Sequence, residues 1–364
     1  MLLVGAGHAH LVVLRSLCAR PLPVPVTLVT PESHAVYSGL VPGAIAGDHP
    51  MAAAQVDLTR LAKRAGVKFI QASATGLDPQ RRSLECSNGA RLEAALISLD
   101  LGGMCRAVSG PGLIPIKPLD RWALAWHANG DAWLASAQPE APFCVVGGGI
   151  AAVELAIACA ERAQQVHGAL EGRVHLISGS EAIAPGEPVA LQRRLSSALA
   201  RAGVQLSMGQ HIQHVDDQGL TSARGHRFAY RAGLVATGVA PSPWLAQTGI
   251  ATTAAGWVAR EASLASRSHP WIWASGDMAE GPQGALPKAG VHAVRQGEVL
   301  ARNLRRAIAH SPLETFRPQR RYLSLIRSGA GQATGRWGRW CAEGEWVSRW
   351  KSALDHSFVD SLVA

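Results

Sequence analysis

Two short glycine-rich runs carry the chemistry that this sequence offers. Gly5-Ala6-Gly7-His8-Ala9-His10 follows the apolar residues 1–4 and opens an apolar stretch over 10–20. Gly147-Gly148-Gly149-Ile150-Ala151-Ala152 stands in the same way between Phe143–Val146 and a helix-like stretch over 151–162. A strand that turns sharply into a helix needs residues without a Cβ, to tighten the backbone and to let a pyrophosphate approach the helix N-terminus. Gly5 and Gly7, and then Gly147 and Gly149, are therefore candidates for holding two nucleotides. His10 takes the place of the third glycine in the first run, and Ala152, an accepted variant, takes it in the second. One such run is explained as well by a plain tight turn; its repetition in the same setting points to dinucleotides.

Polar residues at strand ends extend these two sites. The second strand ends Val29-Thr30-Pro31-Glu32, so Glu32 is the candidate partner of an adenosine ribose, about two places late. Glu154 lies in an apolar helix, where a carboxylate needs a partner or a raised pKa; a structural ion pair and a cofactor-facing role both fit. The strand after the second glycine run ends Ser178-Gly179-Ser180, without the acid that selects NADH and without an adjacent Arg for NADPH. Ala236-Thr237-Gly238 closes that unit, with Gly238 at its turn. Farther on, Gly276-Asp277 follows a strand, where a carboxylate can accept a ribityl hydroxyl. Lys288-Ala289-Gly290 then opens a long helix whose N-terminal dipole would favour negative charge.

These residues require a particular set of elements. Residues 67–101 alternate in short β-like pieces with turns at Asp78-Pro79 and Asn88-Gly89, as a meander does. In 189–202, Leu191, Leu195 and Leu199 face a core. The expected fold is α/β, with two Rossmann-like dinucleotide-binding domains, the second inserted in the first, and a small α+β C-terminal domain. The expected boundaries are 1–117 with 241–312, then 118–240, then 313–364. In the last, a Trp-rich stretch with Trp337, Trp340, Trp346 and Trp350 contains a turn expected at Glu343-Gly344 and is followed by a helix marked by Leu354, Phe358 and Leu362. Those Trp residues would form either the core of a small domain or a lipid-facing surface.

Composition narrows the function classes. Hydrophobic residues at 48% and charged residues at 17% describe a globular chain. The six Cys form no C-x-x-C pair, and no metal site is expected. No signal segment is visible, so a cytoplasmic protein is expected, with peripheral contact to the inner face of a membrane left open. Residues 295–351 carry twelve Arg or Lys against four Glu. Such a stretch suits anionic lipid or an acidic protein, or is an ordinary solvated face. No nucleic-acid-binding motif is present.

Taken together, the chain resembles the pyridine-nucleotide-dependent flavin reductases with two dinucleotide folds. Within them it is most similar to the type II NADH dehydrogenase-like proteins, in particular the flavoprotein domain fused to selenide, water dikinase in some organisms. The closer resemblance rests on Gly5–His10, on Val36-Tyr37-Ser38-Gly39-Leu40-Val41-Pro42-Gly43, on Leu96-Ile97-Ser98-Leu99-Asp100-Leu101-Gly102, on the run from Pro287 to Gly297, and on Trp350–Asp355. It implies FAD at the first turn, NADH or NADPH at the second, and electrons passed to a small acceptor such as a quinone. It implies Tyr37, Glu154 and Lys288 as catalytic residues and Ser38, Pro42, Gly102, Ala289 and His292 in the flavin's surroundings. No Cys stands near Tyr37-Ser38-Gly39, so an oxidoreductase without a redox disulfide is expected. A flavin-dependent monooxygenase or oxidase, and a flavin-binding accessory subunit docking on a partner, are the alternatives.

Overall fold

The computed structural model describes all residues except 107, 169–171, 320 and 364. In chain order the strands used below are β1 (Leu2–Val4), β2 (Thr27–Thr30), β3 (Lys68–Gln71), β4 (Ile97–Leu99), β5 (Leu113–Pro115), β6 (Phe143–Val146), β7 (Val174–Ile177), β8 (Gln205–Ser207), β9 (Ala232–Val235), β10 (Ile272–Ala274), β11 (Leu323–Gly329), β12 (Gln332–Trp337) and β13 (Trp340–Gly344). The helices are α1 (His8–Ala19), α2 (Val41–Ala46), α3 (Ile150–His167), α4 (Val189–Arg201), α5 (Gly290–Ile308) and α6 (Glu345–Val363).

Two five-stranded sheets organise the chain, in the orders β10-β4-β1-β2-β3 and β5-β9-β6-β7-β8. Every pairing in both is parallel. Parallel strands covered on both faces read as continuous apolar runs, and β1, β4, β6, β9 and β10 are buried along their whole length. In each sheet the strand preceding a glycine turn is central, with the next strand on one side and a later one on the other. That reversal leaves a crevice at the carboxyl ends of the strands, where ligands of such sheets bind. The first sheet takes β10 from beyond the whole second sheet, so the second unit is an insertion.

Three expectations need adjustment. The second unit begins before residue 118, because β5 pairs in parallel with β9. Its three residues end in Pro115 and gave no periodic signal. The Trp-rich hairpin turns at Gly338-Arg339 between β12 and β13, where Gly338 has φ +59, and not at Glu343-Gly344. The last helix begins at Glu345, so Trp346 and Trp350 lie on α6. The meander appears as Ala74–Asp78, Ser83–Cys86 and Arg91–Glu93, an antiparallel sheet.

Candidate functional site

The first glycine turn is held from beneath by two residues of the 98–100 segment. Gly5 has φ +86, and a Cβ there would lie 2.4 Å from the Asp100 carbonyl oxygen. The His10 ring explains the missing third glycine. It is fully buried, with Nδ1 2.7 Å from the Gly5 carbonyl and Nε2 2.8 Å from Ser98 Oγ. Burial lowers its pKa to about 4, so the ring is a neutral brace between turn and β4. Its side chain is turned inward, which removes it from the residues able to contact a ligand directly. The Asp100 carboxyl, 2% exposed, lies against Gly7 and accepts the His10 amide at 2.9 Å.

Across the crevice, Asp277 follows β10. Its carboxylate meets the Lys117 ammonium at 2.5 Å, and Lys288 donates to its backbone carbonyl at 2.7 Å. Lys288 also sits 3.8 Å over the Trp257 ring; burial lowers its pKa, and Asp277 opposes that shift. Helix α5 starts at Gly290 with Ala289 as its N-cap. Three polar side chains around this crevice lack partners among the described residues: His8 at Nε2, Ser275 at Oγ, and His292 at both ring nitrogens. A glycine turn, two helix N-termini, two ammonium groups and these orphaned atoms fit an anionic dinucleotide carrying polar rings. Of the two carboxyl groups here, Asp277 is paired with Lys117 and Asp100 has no ammonium partner among the described residues.

Tyr37 and Glu154 belong to a second cluster that α6 completes. Tyr37 donates its hydroxyl to Asp355 at 2.9 Å, and Lys351 donates to Asp355 and to the Gly39 carbonyl at 2.6 and 2.7 Å. Burial and the Asp355 carboxylate both raise the Tyr37 pKa, so it stays a hydroxyl donor. The Glu154 carboxylate accepts the Arg327 amide at 2.7 Å. Burial raises its pKa, while Lys351 and Arg327 pull it down. The His8 ring joins the two clusters, with its centroid 5.4 Å from Tyr37 and 6.3 Å from Phe358.

The second glycine turn is built differently. Gly147 has φ +147, and a Cβ there would strike the Ala236 carbonyl at 2.4 Å; the Ala152 methyl packs beside it. Gly148 is closed off by Ser178, whose Oγ would lie 2.1 Å from an added Cβ. Gly149 is exposed, and nothing stands within 4 Å of where its Cβ would be. The open side of this turn is therefore at Gly149, the N-cap of α3. Glu181, just beyond β7, pairs with Arg224 at 2.5 Å. An Arg thus reaches this strand end from a hairpin distant in sequence.

Other expected residues are placed less centrally. Gly102, with φ +66, has open space where its Cβ would be, and at Gly238 a Cβ would lie 3.9 Å from Arg106 Nε. Ser38 is exposed, and Pro42 is buried in α2. Glu32 lies close enough to Asp120 to raise its pKa. In the basic segment, Arg302 and Arg306 share Glu314, Arg327 lies between Asp48 and Glu161, and Arg336 meets Glu187. Within α6, Arg349 pairs with Glu345 and Lys351 with Asp355; Arg320 lies outside the described residues. The excess positive charge is thus partly neutralised internally. All six Cys are free thiols, and Cys159 is buried in α3. Sequence reasoning missed His8, Asp100 and Lys117 as site residues. Only Asp100 had a local signal, an acid at a strand end before a glycine pair.

Comparison with known proteins agrees with this geometry. The profile of the family described as pyridine nucleotide-disulphide oxidoreductase matches residues 1–297. No curated protein matches by sequence. Among solved structures, the sulfide:quinone oxidoreductase of Aquifex aeolicus is similar with a TM-score of 0.81 at 15% identity, covering 100% of this chain and 91% of that one. NDH2 of Plasmodium falciparum, solved with NADH, gives 0.78 at 12% identity over 99% and 97%. The water-forming NADH oxidase of Lactobacillus brevis, bound to NADH, gives 0.72 at 18% identity over 93% and 74%. At such identities the likeness is one of fold.

Proposed function

This chain belongs to the pyridine nucleotide-disulphide oxidoreductase family, and from that premise we propose that it is an FAD-dependent NAD(P)H oxidoreductase that works without a redox disulfide. The observation that carries the reading is the pair of strand–glycine–helix turns, each at the central strand of its own parallel sheet. FAD is assigned to the turn at Gly5 and Gly7 and the nicotinamide nucleotide to the open side of the turn at Gly149. Bound there, the flavin supplies the hydride and electron chemistry.

The chain's own residues supply position and charge. Lys117 and Lys288 set positive charge beside Asp277, where diphosphate and reduced flavin would carry negative charge. Tyr37 holds a hydroxyl proton, and Glu154 is a carboxyl that burial favours in its protonated form. Both stand where an acceptor needing protons as well as electrons, such as a quinone, could draw on them. Support for a membrane-borne acceptor comes from Trp337, Trp340, Trp346 and Trp350, which are 50%, 82%, 58% and 44% exposed. They are surface and not the core of a small domain, and Trp beside Arg suits a lipid interface.

The test is anaerobic reduction of the purified protein by NADH and by NADPH, followed by an acceptor screen. Bleaching of a flavin spectrum by either nucleotide and rapid turnover with a soluble quinone are expected. A chain that cannot be loaded with FAD overturns the reading. Reduction with turnover only in the presence of a partner protein would replace the enzyme by an accessory subunit.

A further inference from the structure

The crevice assigned to the FAD diphosphate already contains a carboxyl group. Asp100, at the carboxyl end of β4, accepts the His10 amide of α1, one of the N-terminal amides that would otherwise meet an anion. A Cβ on Gly7 would lie 2.5 Å from Asp100 Oδ1, and one on Gly276 would lie 2.4 Å from the same oxygen. Both glycines therefore make room for this side chain, which is wedged between the two loops that the dinucleotide must bridge. Facing it are His8 and His10 from α1 and Asp277 from beyond β10. Gln296 of α5 lies behind, accepting the Gly276 amide at 2.7 Å. The Lys117 ammonium in this crevice is engaged with Asp277 and not with Asp100.

We propose that Asp100 makes dinucleotide binding at the first glycine turn proton-coupled, the crevice taking up the anionic diphosphate together with one proton on the Asp100 carboxyl. This rests on the cofactor reading above. The proton comes from solvent and converts an acceptor-only carboxylate into a group that can donate to a phosphate oxygen. The uptake is within reach because burial already raises the carboxyl's pKa to about 6, against the His10 amide and His8, which lower it. A nearby diphosphate raises it further, since like charge disfavours the ionised form. Binding then weakens as pH rises above about 6, by up to about tenfold per unit, until the bound form also loses its proton. His10 titrates near 4, and His8 and His292 are pushed below their ordinary value. Lys288, lowered by burial, is the other crevice group that an anion would protonate, and Asp100→Asn separates its share from that of Asp100.

The experiment equilibrates the purified full-length chain with FAD by dialysis from pH 6 to 9, reading free flavin fluorescence. Calorimetry in two buffers of different ionisation enthalpy counts the protons taken up. The expected result is a dissociation constant that rises with pH and an uptake approaching one proton per FAD. Asp100→Asn, neutral at every pH, should flatten the profile and abolish the uptake. A wild-type chain that binds FAD with no uptake and a flat profile overturns the coupling, whether or not the variant folds. Uptake that persists in Asp100→Asn removes it from Asp100. A chain that binds no FAD at any pH overturns the cofactor reading and the coupling with it.

Discussion

At the scale of single residues, the site is a set of charges placed by distant segments. Asp277 was legible as an acid beside a glycine at a strand end, but its partner Lys117, far back in the sequence, was not. Asp277→Ala should weaken FAD binding by roughly 1.5–3 kcal/mol, since the ribityl hydroxyls lose a charged acceptor. Equilibrium dialysis of the variant checks this, and unchanged retention would show the carboxylate serving Lys117 alone. Asp120 offers a pH-dependent case. It accepts the Val36 amide at 3.0 Å, and burial, with Glu32 nearby, raises its pKa from 3.8 to about 6. A carboxyl raised in the folded state contributes stability fully below the unfolded pKa and loses it as pH rises through the folded one. Stability should thus fall between about pH 4 and 6, by at most about 3 kcal/mol from this group. Asp120→Asn should remove that fall, as urea unfolding at pH 4 and 8 would show.

At the scale of elements, the two glycine turns were readable because strand, glycine and helix are contiguous. Their interiors were not, because what a Cβ would meet comes from other strands: Asp100 for Gly7, Ser178 for Gly148. Residue type therefore misleads about which glycine faces a ligand. Gly149→Val should leave FAD in place and slow reduction by NAD(P)H at least tenfold in stopped flow, because the open side of the turn is lost. Gly148→Ala, with its methyl against Ser178 Oγ, should instead lower the melting temperature. Equal reduction rates for wild type and Gly149→Val would mean that the second turn holds something else. In the sequence Glu343-Gly344 reads as a turn, whereas Gly344 ends β13 with φ +139 and α6 follows at once.

At the scale of the whole molecule, Arg327 ties three parts together. It is only 7% exposed at its side chain, with Asp48 near the end of α2 on one side and Glu161 of α3 on the other. Beyond this clamp the C-terminal sheet and α6 present Trp340, Trp346, Trp350 and Leu354 outward. No helix among the described residues is long and apolar enough to cross a membrane; exposed Trp on a surface patch suits contact with a lipid interface. In flotation assays the protein should rise with anionic liposomes at low salt, and Trp340→Ser with Trp346→Ser should abolish it. Basic residues near such a surface add about 1 kcal/mol each, fewer here than the sequence suggests because many are paired. A protein that stays at the bottom with every lipid would leave the patch to a protein partner.

The bonds from Tyr37 to Asp355 and from Lys351 to Gly39 join residues 318 and 312 positions apart. During synthesis, Tyr37 and Gly39 emerge from the ribosome long before their partners exist. The two sheets can pair meanwhile, yet this corner of the site stays open until residue 355 has been translated. Closing so long a loop costs only slightly more entropy than closing a moderate one, since the dependence is logarithmic. The delay is therefore one of timing more than of energy, and premature termination or proteolytic trimming ahead of residue 351 would release a chain with both sheets and an unfinished pocket.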